Sequence, residues 1–141
     1  MVANMVAKKE HIQLKAKYFT LDEFRCPCCG KVVIQPLLIE LLDAARLRAG
    51  IPFYITSGYR CPKHNREVGG HPRSMHCYGA AADIHVADSF ERYRILEALL
   101  HVGFKRIGIY PHWIHADIGN YIGKAPKEVI WYGLEDGQLG K

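Results

Sequence analysis

The sequence predicts a single domain of the α+β class from its length, its composition and the pattern of its elements. The chain has 141 residues, close to the roughly 150 residues expected of one domain. Hydrophobic residues make up 49% and charged residues 23%, which is typical of globular rather than disordered proteins. Short strand-like segments are interleaved with two segments of helical periodicity. An α+β domain with one hydrophobic core follows from this pattern.

The chain is predicted to begin with a flexible basic tail, residues 1–17, followed by the folded domain, residues 18–141. The tail contains several lysines and shows no clear periodicity, as is common at chain ends. The domain starts where Thr20 and Glu23 fit a capping box, in which a hydroxyl and a carboxylate accept hydrogen bonds from backbone amides. A short helical turn is therefore predicted directly after Thr20.

The first long helix is predicted over residues 36–49. Pro36 fits the first helical position, apolar residues recur at helical spacing, and Gly50 fits the position just past the end. A strand over residues 52–57 follows, because this segment is rich in β-branched and aromatic residues and Gly58 ends it.

A long polar segment, residues 58–79, comes next and is rich in Gly, Pro and His. A connection of this length is uncommon unless it has a function. Residues 80–86 then have strand character. We therefore expect a functional site between these two strands.

A second helix is predicted to start after Asp88, which forms a capping box with Glu91, and to end before Gly103. Its apolar positions at helical spacing are Tyr93, Leu96 and Leu100. Two strands, residues 106–110 and 113–118, complete the pattern and are joined by a tight turn.

Histidines are abundant, eight in the chain, and several lie in or just after the long polar segment. A catalytic zinc needs three imidazole or carboxylate ligands and an open position for water. Two imidazoles and one carboxylate are provided by His76, Asp83 and His115. With a divalent ion, this ligand set leaves a net positive charge on the site, which lowers the pKa of the bound water. Alternate residues of a strand share a face, so Asp83 and His85 are equally placed, as are His115 and Asp117. Either member of each pair could bind the metal while the other orients a ligand by a hydrogen bond.

The segment SMHCYGAAAD, residues 74–83, matches all six fixed positions of an S-x-H-x-x-G-x-A-x-D motif. In this motif the chain resembles the zinc D-alanyl-D-alanine peptidases, the peptidase M15 family of peptidoglycan carboxypeptidases, dipeptidases and phage endolysins. WIHAD, residues 113–117, is similar to the family's second motif, and TSGYR, residues 56–60, to its arginine-bearing segment. The resemblance covers about residues 18–120. It implies a hedgehog/DD-peptidase-like α+β fold with a mainly antiparallel sheet packed by helices.

The resemblance also implies which residues bind the metal. Zinc would be bound by His76, Asp83 and His115, which decides between Asp83 and His85 in favour of the carboxylate. Asp117 and His85 would then not bind the ion themselves but would orient its ligands by hydrogen bonds.

Two further residues match the family's substrate machinery, and a third departs from it. Arg60 matches the arginine that stabilises charge developing on the scissile carbonyl oxygen, and Ser74 matches a serine that contacts substrate. Many family members carry Glu or Asp as general base three residues before the last histidine ligand, where this chain has His112. Because an imidazole can accept a proton near neutral pH, His112 is predicted to be the base.

The five cysteines leave two interpretations open. Cys26 and Cys29 form a C-x-x-C-G knuckle typical of structural zinc, and Cys61 with His64 offers a second pair at compatible spacing. One interpretation is a second, structural zinc ion bound by these four residues. The other is that Cys26 and Cys61 only pack together or form a disulfide.

These features predict a zinc-dependent peptidase that hydrolyses peptidoglycan stem peptides with metal-bound water as the nucleophile. Its activity would be that of a D-alanyl-D-alanine carboxypeptidase or of an endolysin-type endopeptidase. The alternative is a non-catalytic zinc-containing module that binds cell wall or protein, since the hedgehog signalling domains share the fold and the zinc site.

The net charge of +5 suits an anionic cell wall. The basic residues are scattered, so we expect neither nucleic acid nor membrane as a partner, and we take a monomer as the default. The first residues contain no apolar signal-peptide core. We therefore expect synthesis in the cytoplasm and action on the wall after a phage-type release.

Overall fold

A computed structural model describes residues 16–133 of the protein. Within this range three α-helices and five β-strands follow one another along the chain. Their bounds are α1 Pro36–Ala49, β1 Ile55–Ser57, α2 Pro62–Glu67, β2 Ala81–His85, α3 Ser89–Val102, β3 Arg106–Ile109, β4 Trp113–Asp117 and β5 Val129–Tyr132. Two 3₁₀ turns, Leu21–Phe24 and Met75–Tyr78, precede α1 and β2. Most of the predicted tail, residues 1–17, lies outside the described residues.

The strands form one sheet in the order β1-β2-β4-β3-β5. Every neighbouring pair is antiparallel except β3 with β5, which is parallel. The predicted tight turn between β3 and β4 is confirmed, since the amide of Tyr110 donates to the carbonyl of Trp113 across it (3.0 Å). The predicted α+β class with a mainly antiparallel sheet is therefore confirmed.

Side-chain alternation along the strands gives the sheet two different faces. One face carries Ile84, Ile107 and Ile114, which are fully buried in the same hydrophobic core as Leu38 of α1 and Leu99 of α3. The two long helices also pack against each other. The opposite face of β2 and β4 carries the histidines and carboxylates of the candidate site. The core therefore holds these two strands rigidly beneath the site.

The predicted helix ends are confirmed. Helix α1 has the predicted bounds, and Gly50 after it takes the left-handed backbone conformation (φ 72°) that favours glycine. Glu23 accepts a hydrogen bond from the amide of Thr20 (2.8 Å). Asp88 caps α3 by accepting from the amide of Glu91 (2.9 Å). These local hydrogen bonds need only neighbouring residues, which is why the sequence predicted them.

Of the three apolar positions of α3 named from the sequence, Leu96 is partly buried and packs against the core, and the other two do not. Tyr93 and Leu100 are 69% and 44% exposed, and the buried positions are Ile95, Ala98 and Leu99. The helix carries two overlapping stripes of apolar residues, and its sequence does not show which one faces inward. Packing against α1 places the second stripe inside.

Three elements were not predicted. The long polar segment contains α2 and the second 3₁₀ turn, with Pro62 at the first position of α2 and Cys61 as its N-cap. Strand β5 pairs with β3 beyond the segment covered by the resemblance. None of the described helices has the length and apolar character needed to cross a membrane.

Candidate metal centre

The candidate metal centre is built on the face of β2 and β4 that points away from the helical core. The antiparallel register sets Asp83 of β2 directly opposite His115 of β4. His76 lies in the 3₁₀ turn that precedes β2, and Gly79 in the left-handed conformation (φ 66°) links the two elements. The chain thus brings together three residues that are up to 39 positions apart in sequence.

The carboxylate of Asp83 lies between the two imidazoles. Its Oδ1 is 3.2 Å from Nε2 of His76 and 3.1 Å from Nδ1 of His115. The candidate ligand atoms of the three residues all lie within 4.8 Å of one another. All three side chains are largely buried. One metal ion can therefore be shared by the three residues with small side-chain adjustments.

The outer nitrogen of each imidazole is held by a different acceptor. Nδ1 of His76 contacts the carbonyl oxygen of Gly58 (2.7 Å), and Nε2 of His115 contacts Oδ2 of Asp117 (2.8 Å). Asp117 in turn accepts from Nε of Arg106 (2.7 Å). These contacts orient both rings so that their other nitrogens face Asp83. In metal sites, a hydrogen-bond acceptor on the non-coordinating nitrogen commonly orients a histidine ligand in the same way.

The charges at the centre differ between the two histidines. Burial lowers the pKa of His76, although Asp83 acts in the opposite direction. Burial also opposes a charge on His115, but hydrogen bonds to Asp117 and Asp83 outweigh it and raise the pKa of His115 to about 9. Burial would raise the pKa of Asp83, yet the flanking imidazoles hold that pKa well below its usual range. Near neutral pH the metal-free centre holds one carboxylate, one imidazolium and one neutral imidazole.

The orientation of the His76 ring fits that of a metal ligand. A carbonyl oxygen only accepts hydrogen bonds, so Nδ1 of His76 carries the proton that contacts Gly58. Its Nε2 lone pair then faces Oδ1 of Asp83 at 3.2 Å. Two acceptors at this distance repel each other unless a cation lies between them. Two imidazoles and one carboxylate are also a common ligand set of catalytic zinc, so the residues fit that ion.

Arg60 reaches the same carboxylate from the other side. Its Nη2 donates to Oδ2 of Asp83 (3.3 Å), Nε donates to Oγ of Ser57 (3.0 Å), and Nη1 donates to Oδ1 of Asn65 (3.3 Å). Asn65 is itself buried and donates to the carbonyl of His71 (2.7 Å). The guanidinium is thus fixed at three points. Sequence reasoning missed Ser57 and Asn65, although Ser57 lies within the TSGYR segment.

The other predicted site residues are not part of this group of candidate ligands. Ser74 caps the 3₁₀ turn by accepting from the amide of His76 (3.2 Å). His112 is exposed in the turn between β3 and β4, and its carbonyl accepts from the amide of Val86 (2.9 Å). His85 shares a strand face with Asp83 but is exposed, and no hydrogen bond within residues 16–133 joins its ring to a candidate ligand.

Sequence reasoning also missed an aromatic wall, formed by Tyr110, Trp113 and Trp131. The ring of Trp131 lies 5.3 Å from that of His115, and its Nε1 donates to the hydroxyl of Tyr110 (3.1 Å). Tyr110 and Trp113 are stacked at 4.6 Å. Gly108 leaves room for the indole of Trp131, since a Cβ there would lie 2.7 Å from it. Both tryptophans of the chain are in this wall, which is the signal that could have revealed it.

A second group of candidate ligands lies outside this centre. The sulfurs of Cys26, Cys29 and Cys61 are within 4.8 Å of one another, and all five cysteines of the chain are unbridged. Burial would raise the pKa of Cys26, but backbone amides of Cys61, Cys29 and Cys28 outweigh it and lower that pKa to about 7. His64 lies in α2, three residues after Cys61 and outside this group of sulfurs.

Comparison with known proteins identifies a family. A family model described as Peptidase M15 matches residues 17–117 of the chain. The comparison with curated proteins finds no match. The matched segment contains His76, Asp83 and His115 together with Arg60.

Proposed function

The chain belongs to the peptidase M15 family, and from this membership we propose that it is a zinc-dependent peptidase that cleaves the stem peptides of peptidoglycan. Membership of the family implies a peptidase and supports the binding of a metal ion. The observation that supports zinc is the buried carboxylate of Asp83 between two imidazoles whose outer nitrogens are already held. The positive net charge supports an anionic cell-wall substrate.

His76, Asp83 and His115 would hold the ion. When bound there, zinc would act as a Lewis acid that polarises a carbonyl group and lowers the pKa of a bound water molecule. The ring orientations needed for this are maintained by Gly58 and Asp117, so little reorganisation is required on binding.

The remaining chemistry would come from residues of the chain. The guanidinium of Arg60 is fixed beside the ligand carboxylate and can donate to a carbonyl oxygen as negative charge develops on it. The aromatic wall beside His115 limits access of bulk water on that side, which strengthens such electrostatic interactions. We assign the proton transfer to the imidazole of His112 and a substrate contact to Ser74.

The experiment that tests this proposal is mass spectrometry of purified peptidoglycan fragments after incubation with the zinc-loaded protein and with a chelator-treated sample. We expect cleavage that the chelator abolishes. Loss of a terminal alanine would identify a carboxypeptidase, and separation of a stem peptide into two parts an endopeptidase. Intact fragments from several wall types would overturn the proposal in favour of a non-catalytic binding module.

Replacing His112 tests the assigned base. We expect His112→Ala to lower kcat by about 100-fold while zinc content stays unchanged, because general-base catalysis typically contributes at least that factor. The measurement is the rate of stem-peptide hydrolysis together with metal analysis. His101→Ala, which removes an exposed histidine of α3, should keep the wild-type rate. Full activity of His112→Ala with zinc bound would exclude His112 as the base.

Zinc affinity at this centre should depend on pH. The metal-free protein holds a proton on His115 up to a pH of about 9, and zinc must displace that proton from Nδ1. Binding therefore releases a proton, and affinity should weaken about tenfold for each pH unit below that value. Competition with a chelator of known pH dependence measures this slope. Affinity that does not change between about pH 7 and about pH 8.5 would contradict the protonated state of His115.

A further inference from the structure

A thiol cluster, formed by Cys26, Cys29 and Cys61, lies apart from the three residues of the candidate metal centre. Its sulfurs are within 4.8 Å of one another. Thiolates that share one tetrahedral zinc, each at about 2.3 Å, are about 3.8 Å apart. Small side-chain rotations would therefore bring the three sulfurs to ligand distance.

The backbone around Cys26 has the form of a tight knuckle. The amide of Cys26 donates to the carbonyl of Lys31 (2.8 Å), and the amide of Gly30 donates to the carbonyl of Cys26 (2.9 Å). Gly30 has a φ of 76°, the left-handed conformation that favours glycine. This turn presents the sulfurs of Cys26 and Cys29 on the same side. Two cysteines that only packed in the interior would not need this shared orientation.

The third sulfur comes from a distant part of the chain and is held against the knuckle. The amide of Cys61 donates to Sγ of Cys26 (3.4 Å), and the amide of His64 donates to Sγ of Cys61 (3.4 Å). The amide of Tyr59 donates to the carbonyl of Phe24 (2.9 Å), which ties the same two segments together. Amide donors to sulfur stabilise the thiolate, the form that binds metal.

The C-x-x-H spacing after Cys61 makes His64 the candidate for a fourth ligand, although its ring nitrogens lie outside the group of sulfurs that are within 4.8 Å of one another. His64 lies within α2 and is half-buried. Its Nδ1 is 3.8 Å from Oε1 of Glu67, which is beyond hydrogen-bond distance, so this contact does little to hold the ring. We propose that Cys26, Cys29, Cys61 and His64 bind a structural zinc ion that joins the knuckle to the start of α2.

Four protein ligands leave no open position, so this ion would support structure rather than catalysis. The segment that it holds includes Arg60, which directly precedes Cys61 and contacts the ligand carboxylate of the other centre. The second zinc would therefore help to position that guanidinium. This inference does not depend on the substrate of the enzyme.

Metal analysis of the full chain, purified with zinc, tests the proposal. We expect two zinc ions per chain in the wild type, one in His76→Ala and one in Cys61→Ser. Cys77→Ser is the matched control, because Cys77 lies outside the thiol cluster, and it should keep both ions. A wild-type protein with one zinc that is lost in His76→Ala would overturn the proposal, as would iron in place of zinc.

A second measurement leaves the thiol cluster unmodified, in case Cys61→Ser fails to fold. The His76→Ala variant is loaded with cobalt, and its absorption spectrum is recorded. Intense bands of tetrahedral cobalt with sulfur-to-metal charge transfer are expected, and His64→Ala should weaken cobalt affinity by at least tenfold. Absence of the charge-transfer bands, or a disulfide between Cys26 and Cys61 detected by non-reducing mass spectrometry, would overturn the proposal.

Discussion

Asp83→Asn is expected to lower kcat/KM for stem-peptide hydrolysis by at least about 1,000-fold, which corresponds to about 4 kcal/mol of lost transition-state stabilisation. The amide has nearly the shape of the carboxylate but no negative charge. It cannot balance a divalent ion between His76 and His115, whose facing nitrogens lie 3.2 and 3.1 Å from Oδ1. It also leaves Arg60 without its buried anionic partner. Zinc at this centre should be lost together with activity.

The measurement combines hydrolysis rate, metal content and near-ultraviolet circular dichroism, which reports whether the core remains packed. Asp22→Asn is the matched control, because Asp22 is exposed and pairs with Arg25 rather than with a residue of the candidate metal centre. It should leave rate and metal content unchanged. If Asp83→Asn kept wild-type zinc content and rate, the carboxylate would not be a ligand.

Arg60→Lys should lower kcat by about 100- to 1,000-fold, the range observed when one group that stabilises an oxyanion is removed. Lysine keeps the positive charge but cannot reproduce the planar fork that contacts Ser57, Asn65 and Asp83 together. Zinc content should stay at the wild-type value, because the three candidate ligands are unchanged.

Parallel assays of kcat, KM and zinc content separate two roles of Arg60. Arg66→Lys, an exposed arginine of α2, is the control and should behave as wild type. A fall in kcat with unchanged zinc supports a role in catalysis. A fall that occurs only with loss of zinc would instead show that Arg60 acts by orienting Asp83. Wild-type activity would exclude both roles.

The two candidate metal sites are connected through one short segment of chain. Cys61 belongs to the thiol cluster, and Arg60 directly before it contacts Asp83 of the other centre. His76 also contributes, because its carbonyl accepts from the amide of Arg60 (3.2 Å). We therefore expect loss of the proposed structural zinc to reduce activity even when the three ligands of the candidate metal centre are unchanged.

Local and periodic features of the fold could be predicted from the sequence. Helix α1 has its predicted bounds because proline and glycine mark its ends. The caps at Thr20 and Asp88 use only residues within one helical turn. The face of α3 could not be predicted, because Ile95 is buried and Tyr93 is exposed through contact with a helix about 50 positions earlier in the chain.

For the candidate site, residue types and spacing by themselves determined the motif in residues 74–83 and the strand-face pairs around Asp83 and His115. They could not decide which member of each pair lies opposite a candidate ligand of the other strand, because that depends on the register between β2 and β4. Only the tertiary structure decided that Asp117 contacts His115 and that Trp131 covers it. The physical reason is that a ligand's orientation is set by groups from distant segments, whose approach depends on how the whole core packs.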